Sequence, residues 1–183
     1  MSTPRAGVVG AVLATWVALA GPAQAQLPSY GVGRPPTPEE IRAWDIAIGP
    51  DGAELPPGEG TAVSGKPVYD AKCAACHGAT GREGPHDVLV GGQGSLATAK
   101  PLKTIGSYWP HATTVYDYIY RAMPFAQPES LTAAEVYGVT AYLLYLNGII
   151  GERDVIDRRT LPQVKMPNRH GFVPDPRPET FRR

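Results

Sequence analysis

Cysteine is scarce in this 183-residue chain, and its scarcity excludes several kinds of site. Only Cys73 and Cys76 are present. A structural zinc site takes four Cys or His ligands, and the other histidines, His86, His111 and His170, show no finger-like spacing. A thioredoxin-type redox pair needs a βαβ context, which the sequence does not indicate. One disulfide between the two cysteines stays open as an alternative.

An excess of charge of one sign is also missing. Seventeen basic residues balance 17 acidic residues, and no basic patch indicates a nucleic-acid partner. The charges are spread unevenly, since residues 26–64 carry two basic and six acidic side chains, whereas residues 152–183 carry eight basic and five acidic ones. We interpret these ends as solvated, with a polar docking surface for another protein as the alternative.

A second long apolar run is absent, and the first one has the form of a targeting signal. Arg5 precedes an apolar run over residues 7–19, and Ala23-Gln24-Ala25 fits the small-x-small cleavage rule. The run is short for a bilayer span of roughly 20 residues, which argues against a transmembrane anchor. We therefore predict a signal peptide over residues 1–25, a periplasmic protein, and no membrane span after cleavage.

The two cysteines lie in one pentapeptide, Cys73-Ala74-Ala75-Cys76-His77. A Cys-x-x-Cys-His run is typical of covalent haem attachment. Each thiol adds to one haem vinyl group, and the adjacent histidine supplies an imidazole nitrogen to the iron. The sequence thus predicts one haem c, bound by Cys73 and Cys76, with His77 as the proximal metal ligand.

Methionine supplies the candidate for the sixth iron ligand. Met123 lies 46 residues after His77, between two predicted helices. A thioether opposite a histidine gives low-spin iron and raises the reduction potential. We therefore predict that Met123 binds the cofactor and its metal. Met166 is the rival methionine, and His86 or His111 would give bis-histidine ligation.

Three further residues or pairs are expected to contact the haem or its ligand. A backbone carbonyl near Gly84-Pro85 is predicted to accept the proximal imidazole N–H and fix the ring orientation. Tyr108 and Trp109 are amphipathic side chains that are predicted to hydrogen-bond the haem propionates, with a plain core role as the alternative.

Helix signals surround the motif and predict an all-α fold. Thr37 and Glu40 cap a helix over Pro38–Trp44 in an N-terminal arm. Trp44, Ile46 and Ile48 are the expected anchors of this arm on the domain or on a partner, and a mobile leader that buries nothing is the alternative. The first domain helix should begin near Ser64 or Gly65 and run into the motif.

Two more helices are predicted after the motif. Thr113 or Thr114 should cap a helix that ends at Ala122, because proline disfavours helix in the residue before it. Thr132 and Glu135 form a capping box for the last helix, and Asn147-Gly148 ends it. The expected segments are a signal peptide at 1–25, an N-terminal arm at 26–62, a haem domain at 63–150 and a C-terminal extension at 151–183.

Taken together, these features resemble a class I cytochrome c over Val63–Ile150. The flanking motifs resemble cytochrome subunits of periplasmic sulfite and sulfur-compound dehydrogenases. The motifs are Arg34–Ile41 with Trp44–Ile46, Leu55–Gly58, Ile105–Pro110, Ala112–Ile119, Arg121–Phe125, and Leu161–Pro162 followed by Val164–Arg169. Some members of that family carry two haems, and the one Cys-x-x-Cys-His run resembles a single-haem form.

The resemblance implies an electron-transfer subunit and not an enzyme by itself. The implied partner is a molybdenum-cofactor dehydrogenase subunit that donates electrons, and the implied acceptor is a downstream cytochrome or oxidase. The same likeness supports Cys73, Cys76, His77 and Met123 as haem residues. The alternatives are a carrier for another periplasmic dehydrogenase and a haem enzyme with an open sixth position.

Overall fold

The structure is a computed structural model, and it describes residues 31–175. The predicted signal peptide lies outside these residues, as does the last part of the C-terminal extension. The division between two compact units falls between Ile41 and Arg42. Across the described residues, no helix has the length and apolar character needed to cross a membrane.

The first helix, α1, spans Pro38–Trp44, as predicted. Its capping box is present, because the Glu40 N–H donates to Thr37 Oγ1 at 3.2 Å and the Thr37 N–H donates to the Glu40 carboxylate at 2.8 Å. Two hydrogen bonds from the Arg34 guanidinium, followed by the one from the Thr37 N–H, lower the pKa of Glu40 to about 2. The capping prediction is confirmed.

The predicted contacts of the N-terminal arm are only partly confirmed. Ile48 is buried, and Ile46 is half-buried. Trp44 does not contact the core, since its side chain is 88% exposed, and its predicted contact with a partner stays a prediction. Ile48, four residues after the end of α1, is buried.

Residues 45–175 form four α-helices and one short strand pair, in which Glu59 pairs with Asp157 and Gly60 with Ile156. The all-α prediction is confirmed, and the strand pair is an addition that joins the arm to the C-terminal extension. The elements are β1 (Glu59–Gly60), α2 (Ala62–Lys72), α3 (Ala74–His77), α4 (Ala112–Ala122), α5 (Ala133–Leu146) and β2 (Ile156–Asp157). Short 3₁₀ turns occur at Ser95–Ala97 and Leu161–Gln163.

The start of α2 was predicted two to three residues too late. Thr61 is the N-cap, and its side chain forms a reciprocal capping box with Ser64. Ser64 takes the place that glutamate has in the usual capping box, at the third helical position. The helix therefore begins before Ser64, which the prediction had placed at its start. The helix ends at Lys72, and Cys73 separates it from α3.

The predicted cap of α4 is wrong, although its end at Ala122 is confirmed. His111 is the N-cap residue and makes no side-chain capping bond. The two threonine hydroxyls act as donors, since Thr113 Oγ1 donates to the Pro50 carbonyl at 3.1 Å and Thr114 Oγ1 donates to the His111 carbonyl at 2.8 Å. Neither hydroxyl is used to accept a helical N–H.

Helix α5 has the predicted boundaries and packs against α2 at the centre of the core. Thr132 and Glu135 form the capping box, and Gly148 adopts a positive φ of 68° just after the helix ends. The two helices cross at Gly65 and Gly138, where their backbones meet. The first and last helices of the domain are therefore direct packing partners.

A buried carboxylate joins the N-terminal arm to α4. Asp117 accepts the Ile48 N–H at 2.8 Å and the Arg121 Nε–H at 2.8 Å. Burial raises the cost of ionising Asp117, but the Arg121 and Ile48 hydrogen bonds outweigh it, and the pKa of Asp117 is lower than usual. The charged form therefore stabilises the fold.

We expect Asp117→Asn to lower the free energy of unfolding by about 1–3 kcal/mol at pH 7, because it weakens a buried, charge-assisted hydrogen bond. The carboxylate contributes its full share to the free energy of unfolding above about pH 4, which is the pKa of aspartate in the unfolded chain. The contribution is lost as the pH falls through the lower pKa that Asp117 has in the folded protein. Thermal melts from pH 7 to pH 3 should therefore show a constant difference that shrinks below about pH 4.

The matched control is Asp70→Asn, which breaks the exposed i,i+4 pair between Asp70 and Lys66. An exposed pair contributes less than about 1 kcal/mol. Equal losses from the two substitutions, or an Asp117→Asn difference that stays unchanged down to pH 3, would contradict the role of Asp117.

Candidate haem site

The Cys-x-x-Cys-His run lies at the turn from α2 into α3. The Cys73 carbonyl accepts the N–H groups of Cys76 and His77, each at 3.0 Å, so the run forms one helical turn. Cys73 is half-buried against the core, whereas Cys76 is exposed. Both thiols are free, and the disulfide alternative is not what the structure shows.

The electrostatics of the cysteines do not favour a metal–thiolate site. Burial, followed by the charge of Cys76, raises the pKa of Cys73 to about 11. A thiol with a raised pKa is a poor source of the thiolate that binds metals. Among the described residues, no group of three His, Cys, Asp or Glu side chains is placed to bind a metal ion.

His77 is oriented by a backbone carbonyl, but not by the one predicted. Its Nδ1 lies 2.8 Å from the Asp87 carbonyl oxygen. With Nδ1–H assigned as the donor, Nε2 keeps the lone pair that a metal needs. The prediction of a carbonyl near Gly84-Pro85 was therefore wrong by two to three residues.

The packing of the loop explains this difference. A Cβ on Gly84 would overlap the Cys76 carbonyl, so the loop backbone lies directly against the motif at this glycine. The His86 N–H then donates to the same Cys76 carbonyl at 3.0 Å. The chain turns toward the imidazole only after these contacts, which places the Asp87 carbonyl beside His77.

The loop that follows the motif is held to the core by several hydrogen bonds. The Tyr69 hydroxyl donates to the Gly78 carbonyl at 2.9 Å, and burial, followed by nearby negative charge, raises the pKa of Tyr69. The Leu89 N–H donates to the Gly81 carbonyl at 2.8 Å, and the Leu89 carbonyl accepts the Ile105 N–H at 3.3 Å. The proximal loop is thus bound to α2 and to the segment that leads into α4.

Asn147 is a residue of this site that the sequence predicted only as a helix end. Its Oδ1 accepts the Gly91 N–H at 2.9 Å, and its Nδ2 donates to the Leu89 and Leu143 carbonyls at 3.2 and 2.8 Å. The side chain therefore ties the proximal loop to the end of α5. Its position at the end of a helix gave no signal for contacts more than 50 residues away.

Met123 directly follows α4, and its N–H donates to the Ile119 carbonyl at 3.1 Å. Its side chain is half-buried and packs against the core. The rival Met166 is only 3% exposed and is itself a core residue, which fits the gap-filling role of methionine. Of the two, Met123 has the side chain that the protein leaves partly uncovered.

The two histidine alternatives have different surroundings. The side chain of His86 is exposed. Its backbone N–H donates to the Cys76 carbonyl, so His86 lies close to the motif that carries His77. His111 and Met123 flank the 11-residue helix α4, and at 1.5 Å per residue they lie about 18 Å apart along its axis. Met123 stays the predicted sixth ligand.

The residues present fit a haem. An oriented imidazole lies next to two free thiols in the sequence. A set of hydrophobic residues that pack against the core, Met123 among them, is only half-buried. An apolar macrocycle would cover such side chains. They are Val68, Cys73, Ala74, Leu89, Trp109, Tyr120, Met123, Leu146, Ile149 and Ile150.

Comparisons with known proteins agree with this geometry. The family model described as cytochrome C oxidase, cbb3-type, subunit III matches residues 60–143. The crystal structure of the sulfane dehydrogenase SoxCD from Paracoccus pantotrophus is similar, with 45% sequence identity and a TM-score of 0.74 over 83% of this chain and 75% of that chain. No curated protein matches the chain.

Proposed function

We propose a set of haem-binding residues and a redox partner for this chain, which belongs to the class I c-type cytochromes. The family implies one c-type haem and a role in electron transfer. Cys73 and Cys76 would hold the haem through thioether bonds, and His77 and Met123 would bind its iron. The protein accepts electrons from a molybdenum-cofactor dehydrogenase acting on sulfite or another sulfur compound.

The haem supplies one-electron redox chemistry when it is bound. The chain positions and tunes it. The Asp87 carbonyl orients the His77 ring at 2.8 Å and raises its basicity. Asn147 holds the loop that carries Asp87, and the half-buried apolar side chains exclude water from the site.

The likeness to a sulfane dehydrogenase at 45% identity is the observation that carries the choice of partner. The arm and extension motifs that resemble sulfur-dehydrogenase cytochromes point in the same direction. In this proposal the protein is periplasmic after cleavage at Ala25, is not an enzyme by itself, and passes electrons to a downstream cytochrome or oxidase. A carrier for another periplasmic dehydrogenase is the second candidate.

We expect the haem to be reduced in a mixture of the holocytochrome and the molybdenum dehydrogenase of the same organism when sulfite or a sulfane substrate is added. The absorption of the reduced haem gives the measurement. An apo-dehydrogenase without its molybdenum cofactor is the control and should give no reduction. Full reduction by dithionite together with no reduction by any sulfur substrate would overturn this partner, and reduction by an alcohol dehydrogenase would favour the second candidate.

A further inference from the structure

His111 carries a buried nitrogen without a partner. Its Nδ1 is buried and makes no hydrogen bond to any of residues 31–175. A buried polar atom that loses its hydrogen bond costs about 1–3 kcal/mol, so nearly all such atoms in folded proteins have a partner. The His111 carbonyl is already used, because it accepts the Thr114 hydroxyl at 2.8 Å. The partner of Nδ1 is therefore a group other than residues 31–175.

The segment that carries His111 connects the surroundings of both proposed iron ligands. At its start, the Ile105 N–H is bonded to the Leu89 carbonyl, two residues beyond the carbonyl that orients His77. Near its end, the Trp109 ring contacts Tyr118 on α4 with a centroid distance of 5.7 Å. The helix α4 then leads to Met123. A haem bound between the two ligands is thus next to this segment.

A positive charge from the C-terminal extension acts on the same imidazole. Burial, followed by the charge of Arg169, lowers the pKa of His111, so the ring is neutral at pH 7. The extension is fixed here because Asn168 Nδ2 donates to the Tyr108 carbonyl at 2.8 Å and Phe172 contacts the Tyr108 ring at 5.3 Å. A neutral N–H donor and a guanidinium beside it suit a carboxylate.

We propose that His111 donates its Nδ1–H to a haem propionate and that Arg169 supplies positive charge to the same carboxylate. This inference rests on the proposed haem site, in which the propionates are the anionic groups of the cofactor. It gives His111 a role other than the iron ligation considered from the sequence, and it gives the C-terminal extension a contact with the cofactor.

The test is the reduction potential of the purified holocytochrome, measured by redox titration without a dehydrogenase. A carboxylate that loses its donor favours ferric iron, so His111→Phe should shift the ferric-to-ferrous ratio threefold to tenfold toward ferric at a fixed applied potential. The upper value corresponds to about 59 mV for a one-electron couple. His111→Asn keeps an N–H close to the Nδ1 position and should restore most of the original potential.

Arg169→Gln should lower the potential in the same direction, and it keeps the test decisive if His111→Phe fails to fold. Lys165→Gln removes one exposed positive charge from the same extension and should have little effect. Resonance Raman spectra should show a shifted propionate bending mode in His111→Phe and not in Lys165→Gln. An unchanged potential in Arg169→Gln, or a changed potential with an unchanged propionate mode, would overturn the proposal. Because no dehydrogenase is present, the result is independent of the choice of partner.

Discussion

Met123→Ala is expected to leave the haem covalently attached but to remove the low-spin signature of the ferric protein. The thioether–iron absorption band should disappear, because alanine offers no ligand and water or an open position replaces the sulfur. The reduction potential should fall by on the order of 100 mV or more, since axial ligands tune haem potentials over roughly 0.8 V. Absorption spectra, electron paramagnetic resonance and redox titration give the measurements.

The structure supplies a matched control for this substitution. Met166 is 3% exposed in the core, so Met166→Leu is a volume-conserving change that should cost less than about 1.5 kcal/mol and leave the haem spectrum unchanged. Phe125→Ala tests whether any change near the ligand disturbs the iron, because Phe125 lies two residues away and is 88% exposed. A low-spin spectrum that survives Met123→Ala would exclude Met123 as the ligand. High-spin iron in the unmodified protein would instead favour a haem enzyme with an open sixth position.

Local chemistry explains which parts of this fold could be predicted from the sequence. The capping boxes of α1 and α5 depend on two residues three positions apart, and both are confirmed. The end of α4 depends on the proline that follows Met123, and it is also confirmed. In each case the deciding atoms belong to neighbouring residues, so no knowledge of the tertiary structure was needed.

Long-range contacts explain the wrong predictions. Thr113 has the right chemistry for a cap, but its hydroxyl donates to the Pro50 carbonyl, which lies 63 residues earlier in the chain. The choice of the Asp87 carbonyl depends on how closely Gly84 packs on the motif, which is a property of the folded loop.

The haem site also combines features set by neighbouring residues with features set by long-range contacts. The pentapeptide around Cys73 and Cys76 predicts the cofactor because the chemistry of attachment is local. Asn147 ties the loop after the motif to the end of α5 across more than 50 residues of sequence. Neither these bonds nor the buried, unpartnered Nδ1 of His111 can be read from neighbouring residues.

Replacing Gly65 is expected to have the largest effect on stability, because this residue lies where α2 crosses α5. A Cβ on Gly65 would overlap the carbonyl oxygen of Gly138, and that oxygen belongs to backbone that cannot move as a side chain can. Alanine is a better helix former than glycine by about 1 kcal/mol, so the intrinsic effect on α2 is favourable. The steric effect must exceed this gain, since the two helices have to separate before the methyl group fits.

We therefore expect Gly65→Ala to lower the free energy of unfolding by about 3 kcal/mol or more, and to reduce the yield of haem-loaded protein. Denaturant unfolding of the ferric holoprotein gives the measurement. Gly138→Ala should be milder, because its Cβ would lie 3.0 Å from the Gly65 Cα. Gly49→Ala is the matched control, since its new methyl group would meet only side-chain oxygens, of Asp51 at 3.3 Å and of Glu54 at 3.7 Å. A Gly65→Ala protein as stable as Gly49→Ala would show that the two helices do not cross as closely as the structure has them. A loss in Gly65→Ala with none in Gly49→Ala would confirm that the close approach of two glycines holds together the helix pair from which the Cys-x-x-Cys-His turn begins.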